Sequence, residues 1–178
     1  MIENLTRFSF GGDEHLLCEC SEEMSLQSFF KSLSATTRIK QVGIPGVVEV
    51  CGGNAAYLVR FNPDEIHPDD LLERIKEIDE EAAKAEPVVE TRITEIPVYY
   101  QDPWTAETMR QFRDRHQTPE STDLEYAADI NGFHSVDEFI KAHHESPWFV
   151  SQVGFVCGVP WLYQMVDKER QIQVPKYV

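Results

Sequence analysis

Over its first 95 residues the chain keeps switching its apolar spacing between every second residue and every third or fourth. This alternation, more than any other feature, limits the folds open to it. Residues 5–10 and 15–20 alternate as strands, and Gly11-Gly12-Asp13 between them suits a hairpin turn. Ser25 is placed to cap a helix whose apolar residues Leu26, Phe29, Phe30 and Leu33 fall at helical spacing, with Gly43 closing it. Residues 47–51 form a β-branched strand, Gly52-Gly53-Asn54 a turn, and residues 56–61 a strand with Tyr57, Val59 and Phe61 on one face. Pro68 opens a second helix with the buried stripe Leu71, Leu72, Ile75 and Ile78. Residues 88–100 read as a long last strand, its pairing limited by Pro97. After the first strand the order is β-α-β-β-α-β, a ferredoxin-like split βαβ pattern with two helices on one face of an antiparallel sheet. The expected class is α+β. The acids of the second helix, Asp69, Asp70, Glu73, Glu77, Asp79, Glu80 and Glu81, read as its solvated face.

The pattern changes near Ile96, which divides the chain into an expected 1–95 domain and a second stretch, 96–178. Asp102-Pro103 is a helix start, while Thr122 with Glu125 and Ser135 with Glu138 have capping-box spacing. Three short helices are expected over 101–144, with Asn131-Gly132 ending the middle one. Strands follow at 147–155 and 172–178. Residues 153–162 set two glycines and a proline among apolar residues. They read as a strand ending in a tight loop where another group can approach the backbone.

A net charge of −15 argues against a nucleic-acid partner, whose phosphates need clustered Lys and Arg. No apolar run approaches the ~18 residues of a membrane span, and the N-terminus lacks the pattern of a signal peptide, so no membrane is expected and the cytoplasm is the expected compartment. Cys18, Cys20, Cys51 and Cys157 read as free, small buried hydrophobes and not as a metal set. There is no phosphate-cradling G-x-x-x-x-G-K-[ST] loop, and no Met-Lys-Met-like hairpin to carry biotin on this chain.

His143-His144-Glu145 is the densest polar cluster. Neighbours on a helix point roughly 100° apart and chelate poorly, so no metal is expected. One histidine facing a pocket would serve as acid, base or hydrogen-bond donor; the alternative is an ordinary histidine favoured by the helix C-terminus. Lys168, Arg170 and Lys176 are candidates to meet a carboxylate or carbonate, or else are surface charges.

Several of these stretches together resemble the allophanate hydrolase subunit 1 family, which also takes in small subunits of 5-oxoprolinases. They are an acidic α+β N-terminal region, Glu95-Ile-Pro-Val98, the helices to His144, and Gly154-Phe-Val-Cys-Gly-Val-Pro-Trp-Leu162. Cys157 stands where that family usually has proline, and Trp161 where it has tyrosine. Asp102-Pro-Trp-Thr, Arg113-Asp-Arg-His116 and Leu124-Glu-Tyr-Ala-Ala-Asp-Ile-Asn-Gly132 resemble the carboxyltransferase part of urea carboxylase-like enzymes within it.

The resemblance implies that the second stretch begins a cyclophilin-like β-barrel. Further barrel strands are expected from another chain or beyond residue 178, leaving open edges here. It implies a component of a biotin-dependent carboxyltransferase, moving a carboxyl group from carboxybiotin to a urea-like or amide nitrogen. A partner biotin carboxylase would use ATP and bicarbonate, a partner carrier domain would bring biotin, and an allophanate hydrolase subunit 2-like chain would complete the site. His143 and Lys176 are the implied catalytic residues, and Gly154, Phe155, Gly158 and Pro160 the implied pocket floor. The same resemblance leaves two other uses open: a subunit of an ATP-dependent 5-oxoprolinase, or a non-catalytic inhibitor of a histidine kinase.

Overall fold

The computed structural model describes residues 6–84, 88–154 and 156–174. Packing divides the chain into two units: residues 1–90 with 150–161, and residues 91–149 with 162–178. The expected single division at 95/96 differs from this grouping, because the segment 150–161 packs with the first unit.

The first unit is built on a four-stranded antiparallel sheet. Its strands are β1 (Arg7–Phe10), β2 (His15–Glu19), β3 (Val47–Gly52) and β4 (Ala56–Phe61), in spatial order β1-β2-β4-β3. Two helices, α1 (Leu26–Val42) and α2 (Pro68–Lys84), complete it, and the class is α+β as expected. Ser25 caps α1 through a reciprocal bond with Ser28, and Gly43 ends the helix in the left-handed region at φ 64°. Leu16, Cys18, Tyr57, Val59 and Phe61 of the sheet are buried together with Ile39 of α1 and Leu71, Ile75 and Ile78 of α2. Each large apolar side chain so buried contributes about 1.5–3 kcal/mol.

The strand expected over 88–100 is absent. Residues 88–99 carry no regular structure and are exposed. A split βαβ order would place that strand on the outer edge of β2. There β1 already pairs, Arg7 opposite Glu19 through Phe10 opposite Leu16, so no ladder remains for it.

The face that α1 buries also differs from expectation. Of Leu26, Phe29, Phe30 and Leu33, only Phe29 is buried; the helix instead turns Ser28, Lys31, Ser32, Ala35, Thr36 and Ile39 inward. The reason is close approach to the β3–β4 turn. Ser28 Oγ donates to the Asn54 carbonyl at 2.9 Å and Ser32 Oγ to the Ala56 carbonyl at 3.2 Å. A Cβ on Gly53 would stand 2.8 Å from the Ala56 oxygen, so only glycine fits there. Short hydroxyl side chains satisfy the turn's backbone where leucine would collide.

Beneath the sheet lies a buried polar cluster. Lys31 Nζ sits 3.0 Å from Asp79 Oδ2, with the two side chains only 4% and 6% exposed. Tyr57 Oη donates to Asp79 Oδ1 at 3.0 Å and Thr6 Oγ1 to Oδ2 at 2.6 Å, while Lys31 donates to Thr6 Oγ1. Asp79 therefore leaves the solvated acidic face to which its spacing assigned it. Beside this cluster burial pushes the Cys18 thiol up to about 12 and the Cys20 thiol up to about 11, and drives the Tyr57 phenol upward as well. Cys51 and Cys157 are exposed, contrary to the reading of all four cysteines as buried.

The second unit holds α3 (Pro103–Phe112), α4 (Asp123–Ile130) and α5 (Val136–His144), the three helices expected. Asp102 caps α3 through Trp104 N and Thr105 N, and Thr122 and Glu125 form the expected reciprocal box on α4. At α5 Ser135 accepts from Glu138 N, but the Glu138 carboxylate takes the His134 amide, so the reciprocal half of the box shifts by one residue. Arg113, 8% exposed, donates through Nη1 to Asp123; its Nε and Nη2 are buried with no partner among the described residues.

Strands β5 (Trp148–Val153) and β6 (Pro160–Gln164) pair as a two-stranded sheet; β6 had no counterpart in the expected elements. The strand expected over 172–178 is not seen in its described part, 172–174, and the remainder lies outside the described residues. Side-chain amides take the place of a ladder there. Gln164 Oε1 accepts from Ile172 N at 2.8 Å, and Asn131 both accepts from Gln173 N at 2.9 Å and donates to the Gln173 carbonyl at 3.0 Å.

Lys31→Ala is expected to lower stability by about 3–5 kcal/mol, because it strands the Asp79 carboxylate inside the protein. Arg38→Ala, which breaks an exposed α1–α2 pair 3.8 Å long, should cost about 0–1 kcal/mol. Urea unfolding of both variants checks this, and equal losses would refute it. In the native protein a thiol reagent should label Cys51 and Cys157, and reach Cys18 and Cys20 only after unfolding, as read by mass spectrometry.

Candidate functional site

Helix α5 presents His143 in its last turn, among Lys141 and His144, where the helix dipole favours positive charge. Burial opposes that preference. The His143 ring is half-buried, and its protonation is held below the usual 6.5, first by burial and then by the neighbouring His144. The imidazole is therefore neutral at and above neutral pH.

Aromatic rings wall this imidazole. Trp148 lies 4.8 Å away between ring centroids at 39°, Tyr100 meets it edge-on at 5.7 Å, and Phe139 stands at 6.2 Å. Trp148 holds its place by donating Nε1–H to the His143 carbonyl at 2.8 Å, which also satisfies an end carbonyl of α5. Tyr100 Oη stands 2.6 Å from His143 Nδ1. Burial raises the Tyr100 phenol, so it keeps its proton. His143 Nε2 has no hydrogen-bond partner among the described residues. A neutral imidazole, fixed on three sides and open at one nitrogen, can give or accept one hydrogen bond in surroundings that exclude much of the water.

Tyr100 was not legible as a site residue. It lies 43 positions from His143 and was assigned to a strand. Trp148 was likewise read only as part of a strand, although its place just beyond the end of α5 is a signal for a helix-end cap.

The opposite side of α5 borders a groove of about 1140 Å³. Lys168 and Arg170 both line it, as does Lys141, but Glu138, Glu145 and Glu169 stand among them. Charges of both signs make it no simple anion site. At its base Gln164, 4% exposed, donates Nε2–H to the Ala142 carbonyl at 3.0 Å and to Ser146 Oγ at 2.7 Å. Lys176, the third basic candidate, lies outside the described residues, as does Phe155.

The remaining sequence candidates lie between the end of β5 and the start of β6. Gly154 donates N–H to the Val159 carbonyl at 3.0 Å, and Val159 N to the Val156 carbonyl at 3.1 Å. Gly158 adopts φ 87°, a conformation glycine alone takes freely, and nothing lies within 4 Å of a Cβ built on either glycine. Pro160 opens β6 and is exposed. Gly154, Gly158 and Pro160 thus share one hairpin segment in the first unit, and His143 belongs to the second. Among the described residues no three His, Cys, Asp or Glu side chains are grouped to hold a metal, and no helix is long and apolar enough to cross a membrane.

Compared with known proteins, residues 6–178 match the family model described as carboxyltransferase domain, subdomain C and D. No curated protein matches the sequence. Among solved structures, the urea amidolyase of K. lactis superposes with a TM-score of 0.75 at 18% identity, over 89% of this chain and 10% of that one. The Kluyveromyces lactis urea carboxylase gives the same TM-score and identity over 89% of this chain and 14% of its own. The chain thus spans a tenth to a seventh of the length of these proteins, and the likeness is one of fold.

The depressed His143 gives stability a defined pH dependence. Above 6.5 the imidazole is neutral both folded and unfolded; below it the unfolded chain takes up the proton first. Stability should therefore fall as pH drops below 6.5 and level off once the folded ring also protonates. His143→Phe should flatten that part of the profile. Denaturant titrations across this range check it, and an unchanged slope in the variant would count against burial as the cause.

Proposed function

Because this chain belongs to the carboxyltransferase domain family, subdomains C and D, we propose that it is a component of a biotin-dependent carboxyltransferase whose acceptor is a urea-like or amide nitrogen. The family match over residues 6–178 carries this reading. The shared fold with a urea carboxylase and a urea amidolyase supports the acceptor class. The helices α3 and α4, formed by the stretches that resemble the urea carboxylase branch, favour it over a 5-oxoprolinase subunit.

On this reading carboxybiotin arrives on a partner carrier, loaded by a partner biotin carboxylase with ATP and bicarbonate. A subunit 2-like chain or domain contributes the rest of the site. When bound, carboxybiotin supplies a carboxyl group already activated on a ureido nitrogen. The residues here offer such a group one open imidazole nitrogen, His143 Nε2, on a ring held in place by Trp148 and Tyr100.

The work assigned to this chain is to orient the reactants, keep water out and hold one hydrogen bond at His143 Nε2. Gly154 and Gly158 of the β5–β6 loop and Pro160 at the start of β6 are assigned to backbone contact with substrate, since no side chain at the glycines blocks approach. Phe155 and Lys176 keep the roles implied by the family resemblance.

The test is a reconstituted assay: the full chain with a biotin carboxylase, a biotin carrier and a subunit 2-like partner, reading ATP turnover with urea, guanidine and small amides in turn. Turnover that requires both biotin and one of these acceptors is the expected result. His143→Ala should lower it by about 10²–10³-fold while thermal unfolding stays near wild type. No stimulation by any nitrogen acceptor would overturn the reading.

A further inference from the structure

The open question at His143 is which nitrogen carries its single proton. We infer that Tyr100 donates its phenolic hydrogen to His143 Nδ1, so that the imidazole offers Nε2–H as a hydrogen-bond donor and not a lone pair as a base. Tyr100 is on this account a positioning residue, acting through His143. The inference rests on the proposed role of His143 for its functional meaning, but its chemistry stands separately.

Three observations converge on it. The contact is 2.6 Å, within the range of a strong hydrogen bond, and only one proton can lie along it. The ring is neutral, so it carries one N–H, not two. Tyr100 Oη has no other acceptor among the described residues. Were Nδ1 the protonated nitrogen, the phenol's own hydrogen would have none of these groups to bond. With the phenol donating, both groups are satisfied by one bond, and the proton of the imidazole is left on Nε2.

Trp148 cannot compete for the ring nitrogens, because its N–H is already given to the His143 carbonyl. Its stacking fixes the ring plane instead. The ring is thereby pinned at its edge by a phenol, at its face by an indole and at its backbone by the end of α5.

A fixed Nε2–H selects its ligand by chemistry. It meets an acceptor oxygen, such as a ureido or carboxyl oxygen gaining negative charge, and stabilises it. It does not take a proton from the attacking nitrogen, which on this account must lose its proton to another group.

Two-bond ¹H–¹⁵N correlation spectra of the histidine-labelled full chain, recorded above the usual histidine pKa, read the tautomer without any assay of activity. For His143 the proton should be found on Nε2, with Nδ1 showing the upfield shift of a hydrogen-bonded, unprotonated nitrogen. Tyr100→Phe should move that Nδ1 signal downfield toward a free imidazole. A proton on Nδ1 in the wild type, or an Nδ1 signal unmoved in Tyr100→Phe, overturns the inference.

In the reconstituted assay His143→Gln, which keeps a side-chain N–H but no base, should exceed His143→Ala by roughly tenfold. Equal losses would make His143 a base and sink the donor role. If the spectra show the expected tautomer but His143→Ala keeps full turnover, the role proposed for His143 in turnover fails and the Tyr100–His143 pairing stands.

Discussion

A lysine and an aspartate buried side by side set the terms for the first half of this molecule. Lys31 on α1 and Asp79 on α2 meet beneath the sheet, and neither could be left there alone. Taking a charge out of water costs several kcal/mol, which only a partner and further hydrogen bonds offset. Thr6 and Tyr57 supply those bonds, so the cluster ties the start of the chain, β4 and both helices to one arrangement. Hydrogen bonds add direction to the close packing of the same core. The cluster also adds to the reasons why α1 turns a polar face inward, the β3–β4 turn being the other. Lys31 holds the same rotation of the helix that Ser28 and Ser32 set by bonding to the β3–β4 turn.

The second half is held by a different device. Its apolar core is small, centred on Ala127, Ala128 and Phe139 with Leu124, Phe133, Ile140 and Ile172 around them. Much of the positioning falls to amide side chains. Gln164 joins the last turn of α5 to residues 171 and 172, and Asn131 holds Gln173 at both its N–H and its carbonyl. The segment 171–174 is therefore placed without being a strand. The same economy of core appears at His143, whose surroundings are rings packed on rings, and where a change in one aromatic residue alters the setting of the next.

How much could be read in advance depended on whether the signal was local. Helix starts were legible, because Ser25, Asp102, Thr122 and Ser135 act within three residues of themselves. So were the alternating strands of the sheet and the Gly52-Gly53 turn. The strand expected at 88–100 failed for a reason no local pattern carries: β1 occupies the edge it needed. The apolar stripe of α1 failed because close approach to a turn outweighed hydrophobic spacing. Asp79 looked like one more acid on an acidic helix, and only the fold brings it to Lys31. At the site, His143 stood out as a titratable group at a helix end. Tyr100 and Trp148 did not, since their meaning lies in contacts with that ring.

The order of the strands bears on how this chain is made. All the pairings of the four-stranded sheet, and the two helices laid against it, lie within residues 6–84. Synthesis runs from the N-terminus at about 5–20 residues per second, and domains form as their segments emerge. Once α2 has left the ribosome, the nascent polypeptide already holds all four strands of the sheet and both helices, the buried salt link included. A scaffold can thus be standing, its edge beside β2 closed to wrong pairing, before the histidine-bearing helix has been translated.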